Sequence, residues 1–131
     1  IAISLSKNFK KVWLSLIIED SDHLLSGHLI EEAFDLSRQR VDCVMLNCNT
    51  LSKSNQCFNK FKKLWGGEWG IFPNLGQTEP EIDGKIDIMN SDEVFTNSIL
   101  KYLSEGPSVI GSCCGSSPKH TKIIKEMIDK N

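Results

Sequence analysis

Residues 41–66 read VDCVMLNCNTLSKSNQCFNKFKKLWG and predict one strand followed by one helix. Val41–Leu46 is a short apolar run typical of a strand, and the polar run Asn47–Thr50 stops it. A helix is predicted to begin near Ser52 or Ser54, and a glycine pair ends it. Its apolar side chains recur at helical spacing at Cys57, Phe58, Phe61, Leu64 and Trp65.

The same order of elements occurs three more times along the chain. The further predicted strands are residues 11–18, 69–72 and 108–112, and the further helices begin after Gly27, Ser91 and Ser117. Ser91 and Ser117 are suitable N-cap residues, and Pro118 suits the first position of the last helix. Strands that alternate with helices form a parallel sheet, because each helix brings the chain back to the same end. We therefore predict an α/β fold of four consecutive βα units.

Apolar stripes on these helices indicate the sides that pack on the sheet. In the helix after Gly27 the stripe is Leu29, Ala33 and Leu36, with Ile30 and Phe34 beside it. The helix after Ser91 carries Phe95, Ile99, Tyr102 and Leu103. The last helix carries Ile123, Ile124, Met127 and Ile128. These side chains are expected to form the core together with the strands.

The composition suits one globular domain over residues 1–131, with 40% hydrophobic and 24% charged residues. A formal net charge of -2 without a basic run argues against a nucleic-acid partner. Membrane association is not expected, because no apolar run approaches the roughly 20 residues that cross a bilayer. Five cysteines, two of them adjacent, do not suit a secreted disulfide framework, which favours a reducing, cytoplasmic location.

The carboxyl ends of the predicted strands bring thiols to one edge of the sheet, where ligands of parallel α/β folds bind. Those ends carry Glu19-Asp20, Asn47-Cys48, Pro73-Asn74 and Cys113-Cys114. Three thiolates with an open fourth position are the ligand set of a catalytic zinc site, so Cys48, Cys113 and Cys114 form a candidate zinc centre. Redox chemistry of the adjacent pair, chance convergence and a phosphate-binding loop at residues 111–118 are the alternatives.

The two other cysteines and the three histidines are not expected to belong to the candidate site. Cys43 lies within a strand and Cys57 on a helix face, and both are expected to be packed in the core. His23 and His28 lie in a polar loop, and His120 lies in the first turn of the last helix. All three histidines are expected to be solvated.

Four segments, in the correct order, resemble the homocysteine S-methyltransferase family. Residues 109–120 (VIGSCCGSSPKH) resemble its GGCCGTTPxHI signature, and residues 41–48 (VDCVMLNC) resemble its VDAIGINC strand. Residues 72–77 (FPNLGQ) are similar to its YPNSGE segment, and residues 12–15 (VWLS) are similar to its PVWLSF strand. The double-cysteine motif with an upstream Asn-Cys pair is the specific part of this resemblance.

The resemblance implies a (βα)8 barrel in which zinc, held by Cys48, Cys113 and Cys114, binds the thiol of homocysteine. The metal would lower the pKa of that thiol, and the thiolate would take a methyl group from a donor to give methionine. S-methylmethionine and S-adenosylmethionine are the favoured donors. The residues expected by position to bind substrate are Asn47, Asn74 and Ser15.

A full barrel needs about 250 residues. The 131-residue chain supplies four units, which match the C-terminal half of the barrel. We expect a fragment of a longer chain, and the alternatives are a partner that supplies an N-terminal half-barrel or a homodimer of half-barrels. For function, the alternatives to a methyltransferase are a non-catalytic zinc- and homocysteine-binding fragment and a thiol redox protein that uses Cys113-Cys114.

Overall fold

Strands and helices alternate in the computed structural model, which describes residues 8–79, 81 and 85–130. The strands are β1 (Trp13–Leu16), β2 (Cys43–Thr50), β3 (Glu68–Asn74) and β4 (Val109–Ile110). The helices are α1 (Ile30–Ser37), α2 (Leu51–Trp65), α3 (Asp92–Leu103) and α4 (Pro118–Ile128). The strands pair in parallel in the order β1-β2-β3-β4, which confirms the predicted βα units. No helix in this part of the chain has the length and apolar character needed to span a membrane.

The two faces of the sheet differ in what covers them. Val44, Leu46 and Ile71 are buried in one core together with the apolar side chains of the helices. Alternate residues of a strand point to opposite sides of the sheet. The strand residues that alternate with these buried ones therefore form a second face of the sheet. On this second face the side chains of β1 are exposed, with Trp13 at 55%. Apolar surface on this side of β1 is therefore available for packing against another element.

Helix α1 is rotated about its axis relative to the prediction. Its buried side chains are Ile30, Phe34 and Ser37. Leu36, which the apolar spacing predicts to be buried, is 70% exposed. The ring of Phe34 packs edge-to-face on Phe61 of α2, with the centroids 5.1 Å apart, and this contact decides which side of α1 faces inward. The prediction is also wrong for Ile128 at the end of α4, which is 50% exposed.

Strand β2 continues past its predicted end, through residues 47–50 that have the composition of a loop. The reason is the buried side chain of Asn49, which bonds the backbone N–H of Ile18 at 3.3 Å and its C=O at 2.8 Å. The hydroxyl of Thr50 then caps α2 by accepting a hydrogen bond from the N–H of Lys53 at 3.2 Å. Helix α2 therefore begins earlier than predicted, and it ends, as predicted, at Gly66 with a φ of +71°.

Strands β1 and β4 are shorter than predicted, with four and two residues. Backbone hydrogen bonds nevertheless continue the alignment of β4 with β3. The N–H of Gly111 donates to the carbonyl oxygen of Ile71 at 3.0 Å, and the N–H of Cys113 donates to that of Pro73 at 2.9 Å. This alignment carries the chain after β4 to the carboxyl edge of the sheet.

Candidate metal centre

Three thiols meet at the carboxyl edge of the sheet. The Sγ atoms of Cys48, Cys113 and Cys114 all lie within 4.8 Å of one another. The sulfurs of Cys48 and Cys114 are 3.4 Å apart, and those of Cys113 and Cys114 are 3.9 Å apart. All three residues are half-buried, whereas Cys43 and Cys57 are buried in the protein, as predicted. The fold thus brings together the three residues that the sequence selects as metal ligands.

The spacing of these sulfurs fits a tetrahedral metal ion. Zinc–sulfur bonds of about 2.3 Å place two sulfurs of a tetrahedral site roughly 3.8 Å apart. Two of the separations, 3.4 and 3.9 Å, lie on either side of that value, and the sulfurs of Cys48 and Cys113 lie within 4.8 Å of each other. Three sulfur donors suit Zn²⁺ and leave one tetrahedral position for an added ligand, as in a catalytic rather than a structural zinc site.

Cys48 reaches the cluster because the backbone of β2 is irregular at this point. Its φ is +56°, in the left-handed region that non-glycine residues rarely adopt. The pairing of β2 with β3 also shifts register between Asn47 and Thr50, as in a β-bulge. A bulge changes the direction of a side chain relative to the regular strand, and here the thiol lies beside that of Cys114. Backbone strain of this kind persists only where the surrounding structure holds it.

Asn74 holds this irregular backbone from the neighbouring strand. Its Nδ2 donates to the carbonyl oxygen of Cys48 at 2.7 Å, and its Oδ1 accepts from the N–H of Gly76 at 2.9 Å. The side chain is completely buried. These contacts use the amide within the protein, so Asn74 positions Cys48, and its expected contact with substrate stays a prediction.

A tight turn orients the two adjacent cysteines. The C=O of Cys114 accepts a hydrogen bond from the N–H of Leu75 at 3.0 Å, which ties the pair to the end of β3. The turn begins at Cys113 and places Gly115 at a φ of +75°. Neighbouring side chains of a regular strand point to opposite faces. The turn removes that constraint, and both thiols lie near Cys48.

Substitution of Gly115 by alanine is expected to destabilise this turn and to weaken zinc binding. A Cβ atom at Gly115 would lie 2.6 Å from Cε of Met89, and the φ of +75° strains any L side chain. We expect a loss of about 1–2 kcal/mol in the free energy of unfolding, measured with denaturant. Gly106→Ala is the matched control, because its φ is +68° with no atom within 4 Å of the added Cβ. If the two variants bind zinc with equal affinity, the turn does not position the thiols.

The surroundings of Cys48 favour its protonated thiol. Burial, together with hydrogen bonds to the thiols of Cys113 and Cys114, raises the pKa of Cys48 to about 12. Zinc coordinates the thiolate form, so its binding must displace this proton. A bound cation would therefore stabilise a thiolate at this position.

The other two expected substrate-binding residues lie on the second face of the sheet. Asn47 is half-buried, precedes Cys48 and pairs with Phe72 of β3. Ser15 is exposed within β1 and pairs with Met45, so it lies farther from the carboxyl edge than Asn47. The substrate-binding roles of Asn47 and Ser15 remain predictions.

A charged network close to Cys48 has no signature in the sequence. Nζ of Lys53 lies 3.0 Å from Oε1 of Glu79, and Oε2 of Glu79 lies 3.4 Å from Nδ2 of Asn74. The network therefore joins the first turn of α2 to the residue that holds Cys48. Glu79 lies in the loop after β3, where no periodicity or spacing marks it, and only the fold brings it to Lys53.

The prediction that His120 is solvated is wrong. Its side chain is 11% exposed, because Nε2 lies 3.3 Å from Oδ1 of Asp92 and the ring packs edge-on against Phe95. One signal in the sequence indicates that the His120 ring is bonded within the protein: the Ser-x-x-His spacing from Ser117. The third residue of a helix can bond back to the N-cap. His28 is exposed, as predicted.

The fold and the thiol cluster define the chain as a parallel α/β protein with a cysteine site at the carboxyl edge of its sheet. The family model described as homocysteine S-methyltransferase matches residues 1–128. The chain therefore belongs to the homocysteine S-methyltransferase family, as the motifs predict.

Two plant enzymes illustrate the similarity to known proteins. The selenocysteine methyltransferase of Astragalus bisulcatus is 28% identical over 121 residues. Homocysteine S-methyltransferase 2 of Arabidopsis thaliana is 24% identical over 121 residues. Each alignment covers 88% of this chain and 36% of the relative, so the chain spans little more than a third of their length.

Solved structures of the homocysteine methyltransferase MmuM from Escherichia coli share the fold. The apo form superposes with a TM-score of 0.73 at 19% sequence identity, over 95% of this chain and 43% of that chain. The metallated form superposes with a TM-score of 0.71, over 93% of this chain and 37% of that chain. The four βα units therefore correspond to part of a TIM barrel.

Proposed function

We propose that the chain is the zinc- and homocysteine-binding part of a homocysteine S-methyltransferase. Cys48, Cys113 and Cys114 would hold Zn²⁺, and the sulfur of homocysteine would take the fourth position. Methylation of that sulfur gives methionine. Membership of the family supports methyl transfer. The observation that carries the metal proposal is the approach of three sulfurs to within 4.8 Å of one another.

The protein supplies the geometry of this proposed reaction. When bound, Zn²⁺ lowers the pKa of a thiol, so that a nucleophilic thiolate exists near neutral pH. The bulge at Cys48, held by Asn74, and the turn at Gly115 place the three ligands in advance. In the transfer step, the substrate sulfur bonds to the methyl carbon while the bond from that carbon to the donor breaks. The electrons of the broken bond leave with the donor.

The proposed methyl donor is a sulfonium compound, either S-methylmethionine or S-adenosylmethionine. The similarity of residues 72–77 to the corresponding family segment supports this choice. Phe72 is half-buried and lies on the second face of the sheet. It is the register partner of Asn47 on the adjacent strand β2. An aromatic ring is a favourable neighbour for a cation, which suits a sulfonium group.

We propose that further βα units complete the barrel around this site. The relatives are longer, since the chain spans 36% of the length of each of the two plant enzymes. The exposed indole of Trp13 on the second face supports a packing partner on that side. A longer chain that contains these residues is the proposed source, and separately expressed half-barrels or a second copy are the other arrangements to test.

The test is zinc-dependent capture of homocysteine by the purified chain. The chain is kept reduced, as in the cytoplasm that we propose for it, since its five cysteines are free. We expect about one zinc per chain by elemental analysis. In the Co²⁺-substituted chain, homocysteine is expected to change the thiolate absorption, whereas homoserine, which lacks the thiol, leaves it unchanged.

The outcomes separate the parts of the proposal. Absence of zinc from reduced, metal-replete protein contradicts the metal site. Zinc binding without a response to homocysteine contradicts the substrate. Methionine formation is then followed with each sulfonium donor, for the chain alone and within a complete barrel. Binding of metal and thiol without methyl transfer in the complete barrel would identify a non-catalytic fragment.

A further inference from the structure

We infer that His120 is a positioning residue for the adjacent thiols of Cys113 and Cys114. The inference rests on the proposed function, because it concerns the placement of two of the three proposed zinc ligands. His120 belongs to α4 and is not a member of the thiol cluster. Its effect on the site must therefore pass through the backbone that joins the two.

The ring of His120 joins the N-terminal ends of two helices. Its Nδ1 accepts a hydrogen bond from the backbone N–H of Ser117, the N-cap of α4, at 3.0 Å. Its Nε2 lies 3.3 Å from Oδ1 of Asp92, the first residue of α3. The ring packs edge-on against Phe95 of α3, with the centroids 5.1 Å apart, and the side chain is 11% exposed. The ring is thus held at three points of the structure.

These contacts decide where the ring proton lies. A backbone N–H can only donate, so Nδ1 of His120 is the acceptor and the proton is on Nε2, directed at the carboxylate of Asp92. Lys119 pairs with the same carboxylate. A hydrogen bond from Lys119 is the main cause that lowers the pKa of Asp92, and Asp92 therefore stays an acceptor for the ring.

The segment between the thiols and this anchor is short. Ser117 follows Cys114 by three residues, with Gly115 between them. On the upstream side, the backbone of Cys113 and Cys114 is bonded to the end of β3. On the downstream side, the N–H of Ser117 is bonded to His120. The turn that presents the two thiols is therefore held at both ends.

Loss of the ring would release the downstream end. The N–H of Ser117 would lose its side-chain acceptor. Of the links from α4 to Asp92 of α3, the one made by the ring would be lost and the ion pair of Lys119 would remain. The left-handed conformation of Gly115 gives the turn few steric restraints of its own. A metal needs all its sulfur ligands at bonding distance together, and loss of a partner that orients a ligand typically lowers metal affinity about 10–100-fold.

The experiment compares His120→Leu with His120→Gln and with the control His28→Leu, which changes an exposed histidine in the loop before α1. The first probe is phenylarsine oxide, which bridges neighbouring thiols with release of water and reports thiol geometry in the metal-free chain. The second probe is Zn²⁺, titrated against a chromophoric chelator. Far-ultraviolet circular dichroism establishes that each variant is folded.

We expect His120→Leu to weaken binding of the arsenical and of zinc by about tenfold each. His120→Gln should stay within about threefold of the original chain, because glutamine at the third helical position also bonds back to the N-cap. His28→Leu should leave both affinities unchanged. If His120→Leu does not fold, Asp92→Ala removes the partner of Nε2, together with the ion pair of Lys119, and leaves the bond of Nδ1 to Ser117. The expected loss is about threefold.

Unchanged affinity for the arsenical in a folded His120→Leu chain overturns the inference. Where that variant does not fold, unchanged affinity in Asp92→Ala overturns it. An equal loss in folded His120→Gln and His120→Leu also overturns it, because the bond to Ser117 would then not matter. If the original chain binds the arsenical but no zinc, the proposed function fails, and the arsenical comparison alone decides the role of His120.

Discussion

Replacement of Cys114 by serine is expected to reduce bound zinc from about one per chain to less than about 0.1 per chain. Cys114 is central to the cluster, since its sulfur lies 3.4 Å from that of Cys48 and 3.9 Å from that of Cys113. A serine hydroxyl does not replace a thiolate as a zinc ligand near neutral pH. The two remaining cysteines then form an incomplete site. Elemental analysis of the purified variant, supported by the absorption of its Co²⁺ form, measures the loss.

Cys57→Ser is the matched control for this change. Cys57 is 4% exposed, belongs to the core between the sheet and the helices, and is not a member of the thiol cluster. This variant should lose some stability, because it buries a hydroxyl in an apolar site, but it should bind as much zinc as the original chain. Equal zinc loss in both variants would mean that the assignment of ligands and core cysteines is wrong.

Replacement of Asn74 by leucine is expected to lower the free energy of unfolding by about 3 kcal/mol and to weaken zinc binding. Leucine is similar in size, so the change leaves little cavity. It does leave the carbonyl of Cys48 and the N–H of Gly76 without the partners that Asn74 provides at 2.7 and 2.9 Å. The strained backbone at Cys48 then loses its support. Urea unfolding followed by tryptophan fluorescence measures the stability.

An exposed asparagine provides the comparison. Asn59 lies on the outer side of α2 and is exposed, so Asn59→Leu should change the free energy of unfolding by less than about 0.5 kcal/mol. The zinc affinity of this control should equal that of the original chain. If Asn74→Leu is destabilised but binds zinc normally, Asn74 supports the fold without positioning Cys48.

Local signals account for the elements that the sequence predicts correctly. Ser91 caps α3 with its hydroxyl, which accepts a hydrogen bond from the N–H of Val94 at 3.3 Å. Gly66 ends α2 in the left-handed conformation. Both depend on residues within one helical turn, so composition and spacing are sufficient to find them.

Elements that the sequence predicts poorly depend on distant partners. The end of β2 is set by the bonds between Asn49 and Ile18, which are 31 residues apart in the chain. The rotation of α1 follows from the contact of Phe34 with Phe61 of another helix. Burial of His120 follows from Asp92 and Phe95 on α3. Each of these contacts joins segments that meet only in the folded chain. The one local signal among them is the Ser-x-x-His spacing, which marks the bond of His120 to Ser117 but not its contacts with α3.

The pattern of residues is enough to predict the α/β class and the three cysteines of the candidate site, because parallel βα units place all strand ends at one edge. How the thiols face one another depends on contacts that form when the chain has folded. Cys48 needs a left-handed backbone, and that backbone is held by Asn74, 26 residues away. Strained conformations and hydrogen bonds between distant segments exist only when the whole sheet is assembled, and they turn three cysteines at strand ends into one cluster.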